Sequence, residues 1–364
     1  MSTTNRVDEG AGASNDGPVP AAGLGLPAWM RTLLALIGTL VVMALLVIVL
    51  GANPIDVAST LITGSVGNTF NLSQTIAVAA ILILVALAAA IPFSARLWNI
   101  GGEGQMTAGA VAAAVLGVVL PETWPRPLLA TVVTLGAIAA GALWAAVPGW
   151  LKARFDASEI VTTLMLNFVA TFVAAWVIFD VFPQGFVQRT ESIAVNAEYL
   201  RPWSGWLVDI GIFLAIAAAI VAYVTISRTR LGFSIRAIGA NARTARLAGI
   251  ETRRVTVRTF LIAGAFAGLA GALIVQGRDH SLLQNFSANF GFVGIGVALV
   301  ARLNPLWIIA SAGFFAVLRV GSNSLQAGAG LAPVVGEIIV AVFVILLMVA
   351  GVIKFQYPEN PDAH

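Results

Sequence analysis

Few residues here can do covalent chemistry. The 364-residue chain has no cysteine, and its only histidines are His280 and His364. Thiolate nucleophiles, disulfides and clustered metal ligands of the His or Cys type are therefore excluded, and no catalytic set, metal or cofactor is expected. A phosphate-binding P-loop needs a Gly-Lys-Ser/Thr step. The two lysines, Lys152 and Lys354, follow Leu151 and Ile353, so any nucleotide hydrolysis must take place on another chain. What the sequence offers instead is guanidinium. Ser227 to Arg258 carries eight arginines, at 228, 230, 236, 243, 246, 253, 254 and 258, against one acid, Glu251. Such a segment can pair with carboxylates of a partner or with anionic headgroups.

A second set of polar residues sits in apolar surroundings. Asn99, Glu103 and Gln105 lie in a glycine-rich break formed by Gly101, Gly102 and Gly104. Irregular backbone at membrane depth requires protein or a water-filled cavity beside it. This stretch is read either as part of a passage or its gate, or as an interfacial turn capped by its own side chains. Glu159, Thr162, Thr163 and Asn167 recur at about four-residue spacing, which puts them on one helix face. Glu159 reads as a charge at a helix start after Ser158. Thr163 and Asn167 read as lining a passage, or, for Asn167, as a helix–helix hydrogen bond. Phe286, Phe290 and Phe292 could stack on a ligand ring or could face lipid. Glu337 opens the last apolar run.

The elements that hold these residues follow from composition. The chain is 59% hydrophobic and 10% charged, with a mean hydropathy of +0.93. Average soluble domains carry about 25% charged residues. A water-soluble enzyme, a nucleic-acid binder and a disordered scaffold are excluded, and an all-α polytopic membrane protein is indicated. Apolar runs long enough for a roughly 30 Å hydrocarbon core occur at 32–51, 73–93, 105–120, 127–148, 159–181, 207–226, 259–276, 291–303, 304–320 and 334–353, ten in all. The eighth and ninth require a tight turn at Arg302, Asn304 and Pro305. Residues 1–30 form a tail of disordered composition, 31–355 the membrane domain with a loop at 227–258, and 356–364 a second tail. With the N-terminus inside, fifteen basic residues fall on the cytoplasmic side and four outside (Arg126, Arg189, Arg201 and Arg278), with Arg319 at a helix end. The positive-inside rule then places both termini in the cytoplasm. Gly264, Gly268, Gly271 and the run Gly291 to Gly296 lie within apolar spans and predict close helix packing.

Within the arginine loop the grammar is helical. Phe233 to Ile238 forms one piece that ends at Gly239. Asn241 is an N-cap for a second short helix through Ala248, with Gly249 at the C′ position. Helices this short are marginal alone in water, so this one is expected to dock.

Gly239 to Ile250 (GANARTARLAGI) resembles the cytoplasmic signature of ABC importer permeases of the sugar and nucleoside class. Trp98 to Met106 (WNIGGEGQM) and Ala157 to Asn167 (ASEIVTTLMLN) are similar to two further blocks of that family, in its order and spacing. The resemblance covers roughly residues 30 to 355. It implies a permease subunit whose short helix, with Arg236, Gly239, Asn241, Arg243, Ala245, Arg246, Gly249 and Ile250, couples to a separate ABC ATPase subunit. Asn99, Glu103, Gln105, Thr163, Asn167 and Phe290, singled out above for their place in apolar surroundings, are then the candidates for a translocation pathway, and the resemblance implies two inverted halves, spans two to five and seven to ten. The implied partners are a second permease chain in a heterodimer and an external substrate-binding lipoprotein. The loop at 182–206, with Trp203 and Trp206, is read either as a place for that lipoprotein to dock or as carrying aromatic anchors at the membrane interface. The implied setting is a bacterial cell membrane, and the latter two blocks favour nucleosides over simple sugars. An ion-coupled secondary transporter is the competing reading, but that mechanism wants carboxylates at mid-span. A membrane-embedded enzyme lacks the residues.

Overall fold

The structure is a computed structural model describing residues 28–203, 205–206, 208–331, and 334, 335, 338, 341, 342 and 345. Residues 1–27 of the expected N-terminal tail, the C-terminal tail, most of the tenth run and Glu337 lie outside the described residues, and the first helix begins at Ala28, inside the stretch expected as tail.

The helices are α1 (Ala28–Val49), α2 (Pro54–Val66), α3 (Thr69–Ser94), α4 (Gly102–Val119), α5 (Arg126–Phe155), α6 (Glu159–Trp176), α7 (Gly211–Arg228), α8 (Arg230–Ala240), α9 (Ala242–Leu247), α10 (Thr252–Ala272), α11 (Phe290–Val300), α12 (Pro305–Ser322) and α13 (Leu325–Ala329). Short π-turns, Val177–Val181 and Leu273–Asp279, extend α6 and α10. Among the described residues seven helices are long and apolar enough to cross a bilayer: α3, α4, α5, α6, α7, α10 and α12. The protein is a multi-pass helical membrane protein.

Three features depart from the expected plan. First, α2 was not foreseen. Asn53 caps it, accepting from the Ile55 N–H at 3.0 Å, and Pro54 occupies its first position, where a missing N–H costs nothing. The segment Val41–Val49 and α2 form a pair bent by 103°. Second, the run expected at 291–303 is an 11-residue helix, α11, about 16 Å long at 1.5 Å per residue. That is roughly half a hydrocarbon core. Asn285, Ala288 and Asn289 adopt left-handed backbone (φ 59°, 45° and 62°), which keeps the preceding chain out of the helix. Third, the 182–206 loop contains an antiparallel hairpin, β1 (Pro183–Gln184) with β2 (Val187–Thr190), so the chain is not purely α. Gly185 turns it at φ +56°. The tight turn between α11 and α12 is present: Arg302 and Leu303 are left-handed, and Asn304 accepts from the Leu306 N–H at 3.0 Å.

The core forms around α3, whose Ala80–Pro92 stretch is buried on every face. A helix apolar all round is stable only when other helices surround it. α10 lies against α5, α4 and α3 through its small residues. A Cβ at Gly268 would strike the Ala137 carbonyl, one at Gly264 the Gly141 carbonyl, and one at Gly271 the backbone of Met106 and Ala110. The packing expected for these glycines is what they do: three backbones approach too closely for any side chain. One end of the bundle gathers α8, α9, the α3 C-terminus and Lys152; the other carries the hairpin and the α3 N-terminus.

Candidate functional site

The stripe on α6 and the glycine-rich break meet. Between α3 and α4 the chain runs as a strap, residues 95–101, back along α6. The Trp98 N–H approaches Glu159 Oε1 at 3.5 Å, the Ile100 N–H donates to Thr163 Oγ1 at 3.3 Å, and the Gly104 N–H donates to Asn167 Oδ1 at 2.8 Å. Asn167 Nδ2 returns a bond to the Ile100 carbonyl at 3.0 Å. Four-residue spacing on a helix thus matches the orphan main-chain groups of an irregular segment, which must be satisfied when buried. Asn99 and Gln105 close the strap from within: their amides pair reciprocally at 3.2 and 2.9 Å, and Asn99 Nδ2 also reaches the Ala88 carbonyl of α3 at 3.2 Å. Both are 1% exposed.

Glu103 leaves the strap in the opposite direction. Its Oε2 accepts from the Gly291 N–H at 2.7 Å, in the first turn of α11. Gly291 lies so near that a Cβ there would strike the Glu103 backbone. A buried carboxylate therefore holds the N-terminus of a half-length helix, where N–H groups lack partners and the dipole favours negative charge. Phe290, one residue earlier, has its ring 5.0 Å from the Arg319 guanidinium and 5.6 Å from that of Arg278. Arg319 also donates to the Ala288 carbonyl at 2.6 Å and Arg278 to the Phe286 carbonyl at 3.1 Å. The left-handed segment before α11 is thus fixed by three charged side chains. Phe286 and Phe290 are buried, whereas Phe292 is 40% exposed.

At the other end of α6 the charges continue. Lys152 pairs with Asp156 at 2.7 Å and with Glu159 at 3.1 Å. The Asp156 carboxyl is held below its usual range by the Lys152 hydrogen bond and charge, with a smaller contribution from Arg246 on α9. That helix is built as the sequence indicated. Asn241 Oδ1 accepts from the Arg243 and Thr244 N–H groups at 2.9 and 3.0 Å. Ile250 N–H bonds the Ala245 carbonyl and Gly249 N–H the Arg246 carbonyl, both at 3.0 Å, with Gly249 at φ +82°. This is a Schellman closure. Ala245 is 4% exposed and faces inward, Ile250 is half-buried, and Arg243, Arg246 and Leu247 (84% exposed) point outward. Gly239 differs from expectation. It does not end α8 but sits inside it, against the last turn of α3, where a Cβ would strike the Ser94 carbonyl. Arg236 is exposed on the same helix.

The sequence model of the family described as branched-chain amino acid transport system / permease component matches residues 71–351. The chain belongs to this permease family. It is 32% identical over 346 residues to a glucose ABC transporter permease protein of Haloferax volcanii, covering 90% of each chain. It is 30% identical over 329 residues to a guanosine ABC transporter permease protein of Bacillus subtilis, covering 89% of this chain and 94% of that one. A nucleoside ABC transporter permease protein of Lactococcus lactis is 29% identical over 338 residues, with 90% and 92% covered.

In this permease, then, the residues singled out form two groups that one helix joins: α9 and Asp156 at one end of α6, and the strap, Glu103 and α11 along its length. Sequence reasoning missed Arg278 and Arg319, read there as an external charge and a helix-end charge, and Gln276. Gln276 is fully buried. Its Nε2 donates to the Ala130 and Ala197 carbonyls at 3.1 and 2.8 Å, and its Oε1 accepts from Thr134 at 2.9 Å. The α10 π-turn brings Gln276 and Arg278 inward, and π-turns are frequent at functional positions. No local pattern announces it. The only available signal was an intramembrane-edge polar triplet, Gln276, Arg278 and Asp279, after an apolar run.

Proposed function

We propose that the chain is the membrane-spanning subunit of an ATP-driven importer, moving a nucleoside or a simple sugar that an external binding protein delivers. The observation that carries this reading is α9: a helix of six residues, capped at both ends, seated on Ala245 and presenting Arg243, Arg246 and Leu247. A side-chain set of this kind, two guanidiniums around one apolar knob, suits an acidic groove on a soluble motor. The topology expected from the sequence, with fifteen basic residues on the side of the arginine loop and four opposite, supports a cytoplasmic location for α9 and both termini, in a bacterial cell membrane. The names of the relatives support the substrate class. A second nucleoside permease of Lactococcus lactis also matches, at 26% identity over 247 residues. That pairing supports a heterodimer of two permease chains.

The contacts support a mechanism in which α9 acts on Asp156 through the charge of Arg246, Asp156 and Glu159 share Lys152, and movement of α6 reaches the strap through Thr163 and Asn167. The strap leads into the first turn of α4, where Glu103 holds α11. Asn99 and Gln105 stiffen the strap, and Phe290 closes the passage. ATP binding on the motor biases two positions of this connected unit, and the passage opens alternately to either side. The test is uptake by the whole importer carrying Arg246→Glu. Uptake and ATPase stimulation should vanish while the permease stays folded in the membrane. Uptake at the normal rate would overturn the reading.

A further inference from the structure

A cavity of about 570 Å³ opens between the α3 N-terminus, the segment before α11 and the α12 C-terminus. This lies within the roughly 300–1,000 Å³ of small-molecule sites. It is on the side of Phe290 away from α9, and Phe290 with Ala288 makes its floor. Phe70, Asn71, Gln74 and Asn323 face it from the walls, with Arg278 and Arg319 beside the floor.

The chemistry of these walls is specific. Asn71 spends one N–H on the Thr63 carbonyl at 3.3 Å, which leaves its carbonyl oxygen for a donor. Gln74 has no hydrogen-bond partner among the described residues. Both guanidiniums are already engaged: Arg278 holds Asp279 in a two-pronged pair at 2.7 and 2.8 Å, and Arg319 donates to the Ala288 carbonyl at 2.6 Å and lies 5.0 Å from the Phe290 ring. The cavity therefore offers amide donors and acceptors, and among its described lining residues there is no carboxylate to hold a cation. Phe70 is 59% exposed and gives a ring face that the buried Phe290 cannot. Loop residues held in left-handed backbone by three charged side chains indicate a floor fixed at some cost in strain.

We propose that this cavity is the cargo-binding site, and that it takes an uncharged ring compound bearing several hydroxyl groups, stacked on Phe70 and hydrogen-bonded by Asn71, Gln74 and Asn323. Nucleosides and hexoses share that chemistry. The inference rests on the importer reading above and adds where the cargo sits.

The native absence of cysteine makes the test direct. In the intact importer, with ATPase, binding protein and partner permease, single replacements Gln74→Cys and Asn323→Cys are labelled with a maleimide. Thr123→Cys, on the exposed α4–α5 turn, serves as reference. Labelling at 74 or 323 should lower uptake at least tenfold relative to the same variant unlabelled, and labelling at 123 should not. Cargo-loaded binding protein should slow labelling at 74 and 323 at least fivefold. Protection by guanosine or uridine alone would assign a nucleoside, protection by glucose alone a sugar; a nucleoside monophosphate should protect neither position. If the importer transports cargo while labelling at both positions leaves uptake unchanged, or the phosphate compound protects best, the proposal is wrong. If it transports none of these compounds in any form, the importer reading itself fails, which is a different result.

Discussion

Asn167 and Gly104 lie 63 positions apart in the chain, yet the Asn167 side-chain oxygen accepts the Gly104 N–H at 2.8 Å while its amide nitrogen donates to the Ile100 carbonyl at 3.0 Å. One side chain thus satisfies a carbonyl of the irregular strap and an orphan N–H in the first turn of α4. Leaving a buried polar group without a partner costs about 1–3 kcal/mol. Asn167→Leu should therefore lower the melting temperature of the detergent-solubilised permease by several degrees. Asn167→Asp, which keeps the acceptor and loses the donor, should fall between it and the native chain. Equal melting temperatures for all three would remove the strap from the structural scheme.

Gly239 tests a different joint. A side chain there collides with the Ser94 carbonyl at the end of α3, so Gly239→Val should move α8 and α9 off their seat. We expect normal amounts of permease in the membrane, lost ATPase stimulation and uptake reduced at least tenfold. Retained stimulation would mean that the seating of α8, which carries α9, on α3 does not matter for coupling.

The small-residue contact of α10 with α5 and α4 predicts a fold defect and supplies its own control. Gly268→Leu has no room, since even a Cβ meets the Ala137 carbonyl, whereas nothing lies within 4 Å of a Cβ at Gly313. The first should abolish monodisperse protein on size exclusion; Gly313→Ala should elute as the native chain does. Comparable profiles for both would contradict the packing described.

Asp209 gives a pH dependence. Burial pushes its carboxyl above the ordinary range, only partly offset by the Gly211 N–H at 2.6 Å and the charges of Arg201 and His280. The folded state then holds that proton more tightly than the unfolded one. The contribution to stability is full below about pH 4 and is lost as pH rises through the folded value. Asp209→Asn keeps an acceptor for Gly211 without the charge. It should raise the melting temperature at pH 7 and show no gain near pH 4. A gain larger at pH 4 than at pH 7 would reverse the assigned cause.

What could be read from the sequence was local. Asn241, Gly249 and the arginines between them specify α9 within one short segment, and Gly264, Gly268 and Gly271 announce close packing without naming the partner. The α6 face of Thr163 and Asn167 was legible as a stripe. That it grips the strap rather than bare solvent depends on contacts more than 60 positions away, which periodicity does not carry. Asn53-Pro54 was a helix start overlooked because the run behind it is short. Arg278 and Arg319 were hidden more deeply: each looks like a boundary charge until the chain folds and both flank Phe290.

The most direct measurement of the central claim is radiolabelled nucleoside and sugar uptake into proteoliposomes of the assembled importer, run with and without ATP and with ion gradients collapsed by ionophores. The permease reading predicts uptake that follows ATP hydrolysis, needs the ATPase chain and ignores the ionophores. Uptake by this chain without a nucleotide-hydrolysing partner, abolished by the ionophores, would contradict it.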